Sequence, residues 1–143
     1  MEYDVDEARP SPIRVVVIDD SEEIRDVLHF ALDRAVDFEL VASAADGESG
    51  LAVAEAHQPD LVLLDIAMPD MDGLQALRVI RQGCPRAVVV MLTGFAEEVA
   101  ALSAVEHGAH GFIRKGSGVP VILDQVREIW QIRLQGRDRA RDK

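Results

Sequence analysis

The chain predicts a three-layer α/β sandwich, with a five-stranded parallel sheet covered by five helices on its two faces. Three observations predict it. Short β-branched runs alternate with segments of helical periodicity, the pair recurs five times in 143 residues, and the strands are apolar throughout rather than alternating, as in sheets buried on both sides. Each right-handed crossover must pass over one face or the other, so helices are expected in both outer layers.

Taken in order, residues 1–12 lack periodicity, carry acids and end in Pro10 and Pro12, and read as a flexible acidic leader. The folded domain is expected over 13–134. Residues 14–18, Arg-Val-Val-Val-Ile, form the first strand, and Ile24, Val27, Leu28, Ala31 and Leu32 fall at helical spacing after it. Strand 38–43 pairs with helix 47–57, strand 60–64 with helix 73–82, strand 87–92 with helix 97–107, and strand 111–113 with helix 120–134. Pro120 suits the first turn of the last helix, where its missing N–H costs nothing. Residues 135–143 mix both signs of charge and read as a solvated tail.

Composition narrows the function classes. A net charge of −11 opposes direct nucleic-acid binding, which rests on clustered Lys and Arg. Cys84 is alone, so neither an intrachain disulfide nor a cysteine metal site is available, and His29, His57, His107 and His110 have no ligand spacing, which disfavours zinc. No basic start with an apolar signal core and no long apolar run appears, so the protein is expected to be soluble and cytoplasmic, with no membrane partner.

In open α/β sheets, sites gather at the carboxyl ends of the strands. Asp19 and Asp20 end the first strand, Asp65 the third and Thr93 the fourth, and Lys115 follows the fifth. Three carboxylates on one edge repel one another and call for a cation. Oxygen-only ligands favour Mg²⁺, which commonly works with phosphate. Lys115 and the Thr93 hydroxyl are suited to phosphoryl oxygens, so the set reads as phosphoryl transfer with Asp65 as nucleophile.

Each residue also has a plainer reading. Asp20-Ser21-Glu22-Glu23 resembles a capping box with Asp20 as N-cap. Lys115 could be a solvated loop residue, Thr93 an ordinary strand end, Gly73 a helix-entry residue, and Asp70 and Asp72 turn and cap residues. Helix five presents Ile122, Val126, Ile129 and Trp130 on one side, most simply for packing. The coincidence of five such residues on one edge outweighs the separate plain readings.

The runs Val17-Ile18-Asp19-Asp20, Leu63-Leu64-Asp65-Ile66-Ala67-Met68-Pro69-Asp70-Met71-Asp72-Gly73, Leu92-Thr93-Gly94 and Gly108-Ala109-His110-Gly111-Phe112-Ile113-Arg114-Lys115 resemble the receiver domain of bacterial two-component response regulators. The resemblance covers about residues 13–134. It implies a flavodoxin-like sheet of order 2-1-3-4-5, a phosphoacceptor at Asp65, and Mg²⁺ held by Asp20, Asp65 and the Ala67 carbonyl with Asp19 acting through water. It further implies a Thr93/Phe112 switch that reshapes the surface of helix four, strand five and helix five. The implied partners are a sensor histidine kinase or phosphotransfer protein, an unnamed downstream protein, and a second copy in a phosphorylation-dependent dimer. Ala67 and Phe95 are expected to tune phosphate lifetime.

In many relatives proline follows the lysine, whereas Gly116 stands here, so Lys115 is expected on a looser loop with a trans bond or one cis only on activation. A phosphatase of the haloacid dehalogenase type would need an acid two residues after Asp65, where Ala67 stands, so no turnover enzyme is expected. A flavodoxin-like cofactor binder would want a Ser/Thr/Gly loop where Asp19-Asp20-Ser21-Glu22-Glu23 stands. No output domain is expected after helix five. The rival expectation is the receiver portion of a longer DNA-binding transcription regulator.

Overall fold

The computed structural model describes residues 11–142. The strands β1 (Ile13–Ile18), β2 (Phe38–Ala44), β3 (Leu61–Asp65), β4 (Val88–Thr93) and β5 (Gly111–Arg114) form one parallel sheet in the order β2-β1-β3-β4-β5. The connecting helices are α1 (Glu22–Arg34), α2 (Gly47–His57), α3 (Gly73–Gly83), α4 (Glu98–Glu106) and α5 (Val119–Asp142).

The uninterrupted apolar strands are explained by two cores, one on each face. Val16, Ile18, Val62, Leu64, Val89 and Met91 pack with Ala54, Leu77, Ile80, Ala101 and Ala104 of α2, α3 and α4. Their neighbours in sequence, Val15, Val17, Leu61, Leu63, Val88, Val90 and Leu92, pack with Leu28, Leu32, Ile122, Leu123 and Val126 of α1 and α5. Alternate residues enter opposite cores, so a one-residue slip of any central strand would exchange its two faces.

Register then builds the site edge. Ile18 lies opposite Leu64, which brings the next residue of each strand, Asp19 and Asp65, to the same level. Asp65 lies opposite Leu92, and Thr93 opposite Arg114, so Lys115 emerges one step beyond that edge.

One plain reading falls and one expected helix end moves. Asp20 is not the N-cap of α1: Ser21 Oγ accepts the Ile24 N–H at 3.2 Å, while Asp19 Oδ1 accepts the Ser21 N–H at 2.8 Å. That turn leaves Asp20 exposed. The last helix runs to Asp142 rather than stopping near Leu134. Residues 135–142 contain one Gly and no Pro, and mixed charge does not oppose a helix already nucleated and anchored by its packed N-terminal half. Residues 1–10 of the expected leader lie outside the described residues.

Gly73 has a reason beyond helix entry. A Cβ there would sit 2.6 Å from the Ile66 carbonyl oxygen, so the α3 start packs directly on the backbone leaving β3. Asp72 caps α3 through the Gln75 N–H at 2.9 Å. Among the described residues no helix is long and apolar enough to cross a membrane.

Candidate functional site

Among the described residues, the buried polar or charged side chains are Asp19, Asp65 and Thr93, all at the carboxyl edge of the sheet. Burial of a carboxylate is costly without a partner, so this clustering marks the edge as more than a packing surface. Asp20, exposed, joins Asp19 and Asp65 to form a group whose ligand oxygens all lie within 4.8 Å of one another.

Among the described residues, Lys115 is the cation paired with this group. Lys115 Nζ lies 2.9 Å from Asp65 Oδ1 and 2.9 Å from Asp19 Oδ2. The Asp19 contact is an ion pair outside hydrogen-bond alignment, and Asp65 Oδ2 is buried with no hydrogen-bond partner. Backbone also anchors the carboxylates: the Ser21 N–H donates to Asp19 Oδ1, and the Ala67 N–H to Asp65 Oδ1 at 3.2 Å. Arg25 braces the same loop by donating to the Asp19 carbonyl at 2.6 Å.

The charges show in the titration behaviour. The Asp65 carboxyl is pushed up to about 7, chiefly by burial; Lys115 opposes the rise, while the neighbouring Asp20 carboxyl and the charge of Asp19 add to it. Burial pulls Lys115 down, but Asp19 and Asp65 outweigh this and hold it above its usual value. Three carboxyl groups against one ammonium leave uncompensated negative charge, and an orphan oxygen faces it. Both observations fit a hard divalent cation held by Asp19, Asp20 and Asp65.

Thr93 shares the edge, but its hydroxyl donates to the Gly94 carbonyl at 2.9 Å rather than to the carboxylates. Phe112, half-buried on β5 opposite Met91, packs on the core beneath α4. The Lys115–Gly116 bond is trans, and a Cβ at Gly116 would meet nothing within 4 Å. Lys115–Ser117 form a 3₁₀ turn.

Residues 15–127 match the response regulator receiver domain. The chain belongs to that family. This receiver domain is 34% identical over 119 residues to the response regulator protein VraR of Staphylococcus epidermidis, covering 83% of the chain and 57% of VraR. It is 46% identical over 116 residues to protein-glutamate methylesterase/protein-glutamine glutaminase 2 of Nitratidesulfovibrio vulgaris, covering 80% of the chain and 31% of that enzyme. A chain in the CheX–CheY–BeF₃–Mg²⁺ complex from Borrelia burgdorferi superposes with TM-score 0.76 at 29% identity, over 88% of this chain and 93% of that one. The receiver thus spans about half or less of the length of these curated relatives. Receiver domains serve two-component signalling and interact with histidine kinases or phosphotransfer proteins; most of the family is non-enzymatic.

Sequence reasoning undervalued three supports of this receiver. Asp70 accepts the Gly47 and Glu48 N–H groups at 2.9 and 3.1 Å, tying the loop after Asp65 to the start of α2. No local pattern reveals that bond, because its partners are over twenty positions away. Ser21 was legible as a capping residue beside Asp20. Glu97 accepts the Gly94 N–H at 2.7 Å, filling the space that the absent Gly94 side chain leaves open. Phe95 opens the 3₁₀ turn between them, and its side chain lies outside the described positions.

Proposed function

We propose that Asp65 is the phosphoacceptor of this receiver and that the phosphoryl group arrives from a phosphohistidine of a sensor kinase or phosphotransfer protein. The observation that carries the reading is the buried, partnerless Asp65 Oδ2 within the Asp19–Asp20–Asp65 group and beside Lys115. An Asp65 oxygen attacks phosphorus; a P–O bond forms as the P–N bond breaks, and the imidazole leaves with the electron pair and takes a proton from solvent.

Asp19, Asp20, Asp65 and the Ala67 carbonyl would hold Mg²⁺, which when bound supplies the positive charge that lets a phosphoryl dianion approach a carboxylate. Lys115 pairs with a phosphoryl oxygen, exchanging its present contact with Asp65 for the transferred group. Ala67 and Phe95 flank the site and set the lifetime of the acyl phosphate. With Ala67 where an acid would stand, the domain stores one phosphate rather than turning over a separate substrate.

Readout runs through Thr93 and Phe112. The Thr93 hydroxyl leaves the Gly94 carbonyl for the phosphoryl group, and the Phe112 ring moves in behind it. The responsive surface comprises α4, β5 and α5. In support, α4 exposes Val99, Leu102 and Val105, and an Arg114–Glu98 ion pair joins β5 to α4. A downstream protein or a second phosphorylated copy docks there, in a cytoplasmic pathway.

A second reading places this receiver in a longer DNA-binding transcription regulator; in its support, the chain covers 57% of the response regulator protein VraR. An in-frame output domain beyond Lys143 in the gene would establish it. The phosphoacceptor reading is tested by adding beryllofluoride and Mg²⁺ while following backbone amide resonances. Saturable shifts at Asp65, Thr93 and Phe112 that vanish in Asp65→Asn support it; no Mg²⁺-dependent shift in the wild type would overturn it.

A further inference from the structure

On the flank of the molecule, between α3 and α4, lies a cleft of about 310 Å³ lined by Leu74, Arg78, Arg81, Gln82, Pro85, His107 and Gly108. Leu74, Arg78 and Arg81 follow one another at helical spacing on α3, while His107 and Gly108 end α4. Both helices run antiparallel to the strands, so their closing turns, which carry Arg81, Gln82 and His107, lie toward the sheet edge opposite Asp65.

The cleft is a cationic place in an acidic chain. Arg114, Lys115 and Arg127 each hold a carboxylate, Arg14 and Arg25 each donate to a backbone carbonyl, and Arg34 lies over the Phe30 ring. Among the described residues, neither Arg78 nor Arg81 forms an ion pair, despite 26 acidic residues in the sequence. Arg81 makes one long bond, to the Ala87 carbonyl at 3.5 Å, and its Nε lies 3.7 Å from where a Gly108 Cβ would stand. The arginine therefore crosses the cleft to the end of α4. His107 Nδ1 donates to the Ser103 carbonyl at 2.7 Å, which leaves Nε2 free to donate when the ring is protonated.

A cation at a helix C-terminus is commonplace, since it complements the helix dipole. That accounts for Arg81 or for His107 taken singly. It does not account for Arg78, which has no partner among the described residues, and Arg81, with its single long bond, lining one cleft with a glutamine amide and a histidine from a second helix. Guanidinium forks without an internal anion, beside the apolar Leu74 and Pro85, match a ligand with a doubly charged oxyanion and a small apolar body. The volume is at the small end of the range for small-molecule sites.

We propose that the α3–α4 cleft binds an organic phosphomonoester, with its phosphate on Arg78, Arg81 and His107 and its body against Leu74 and Pro85. Gly108 keeps the wall beside Arg81 free of a side chain. The site shares no residue with the acidic group at Asp65.

The test is an amide-resonance titration of the full chain in EDTA, which removes metal-dependent phosphate binding at the acidic edge, with phenyl phosphate and inorganic phosphate as separate probes. Saturable shifts confined to residues around Arg78, Arg81, Gln82, His107 and Gly108 are expected, stronger for the phenyl ester than for bare phosphate. The Arg78→Ser/Arg81→Ser variant, with unchanged circular dichroism, should bind at least about tenfold more weakly. Arg81→Lys, which keeps the charge and loses the fork, should fall between the two. Absence of saturation for both probes up to about tenfold above the order of 1 mM, or equal binding by the double variant, overturns the proposal. Equal binding of the two probes would overturn the role of Leu74 and Pro85 and leave a phosphate site alone.

Discussion

Asp65→Asn should stabilise the Mg²⁺-free domain above neutral pH and have little effect in acid. Asp65 is 1% exposed. Its carboxyl is raised from 3.8 to about 7, chiefly by burial, with Lys115 opposing and Asp20 and Asp19 adding to the rise. Because the folded value lies above the unfolded one, the folded protein keeps a proton that the unfolded chain releases between about pH 4 and 7, and stability falls across that window. A gap of about 3 units at about 1.4 kcal/mol each bounds the cost near 4 kcal/mol; we expect 2–4 kcal/mol, roughly, since Asn keeps the shape but cannot ionise. Urea unfolding in EDTA at about pH 4.5 and about pH 8 measures it, and saturating Mg²⁺ should then stabilise the wild type and leave the variant almost unchanged. Equal stability of the two proteins at the higher pH, or equal stabilisation by Mg²⁺, would refute the claim that Asp65 carries uncompensated charge awaiting a cation.

Other expectations rest on separate parts of the fold. Ser21→Ala should cost about 1 kcal/mol by removing the cap of α1, whereas Asp20→Ala should cost nothing without Mg²⁺ and should abolish Mg²⁺-linked stabilisation; thermal melts of both variants separate cap from ligand. Gly73→Ala forces a Cβ against the Ile66 carbonyl and should lose about 1–3 kcal/mol in denaturant unfolding, while a cost near zero would show that the α3 start can shift. The Arg127 hydrogen bond holds the Asp37 carboxyl below its usual value, so its stabilisation is present above the unfolded pKa and is lost as pH falls through the folded one. Both partners are 39% exposed, so Asp37→Asn should cost only about 0.2–1 kcal/mol near neutrality and nothing in strong acid.

The residues that proved legible in the sequence are those whose chemistry and periodicity coincide. Asp19 and Asp65 follow β-branched or leucine-rich runs, Val15–Ile18 and Leu61–Leu64, whose every residue is buried, a pattern that fits a strand covered on both faces and ending in a carboxylate. Strand order was not legible from periodicity, because equally apolar strands do not say which neighbour they take; it came with the family resemblance. Element ends slipped where local signals competed. Asp20 and Ser21 are both good caps, and only the Asp19 carboxylate on the Ser21 N–H decides between them. The reach of α5 to Asp142 depends on a helix propagating from its packed half, which no window over the charged tail reports. Asp70 was read as a turn or cap, but its partners in α2 are set by tertiary proximity alone.

The central claim concerns a single atom position, and borohydride reduction tests it directly. The wild type, treated with acetyl phosphate and Mg²⁺ and then reduced, should yield homoserine at position 65 and nowhere else, with none formed in EDTA. Homoserine at Asp19, Asp20 or any other aspartate, or phosphate incorporation that persists unchanged in Asp65→Asn, would contradict the account.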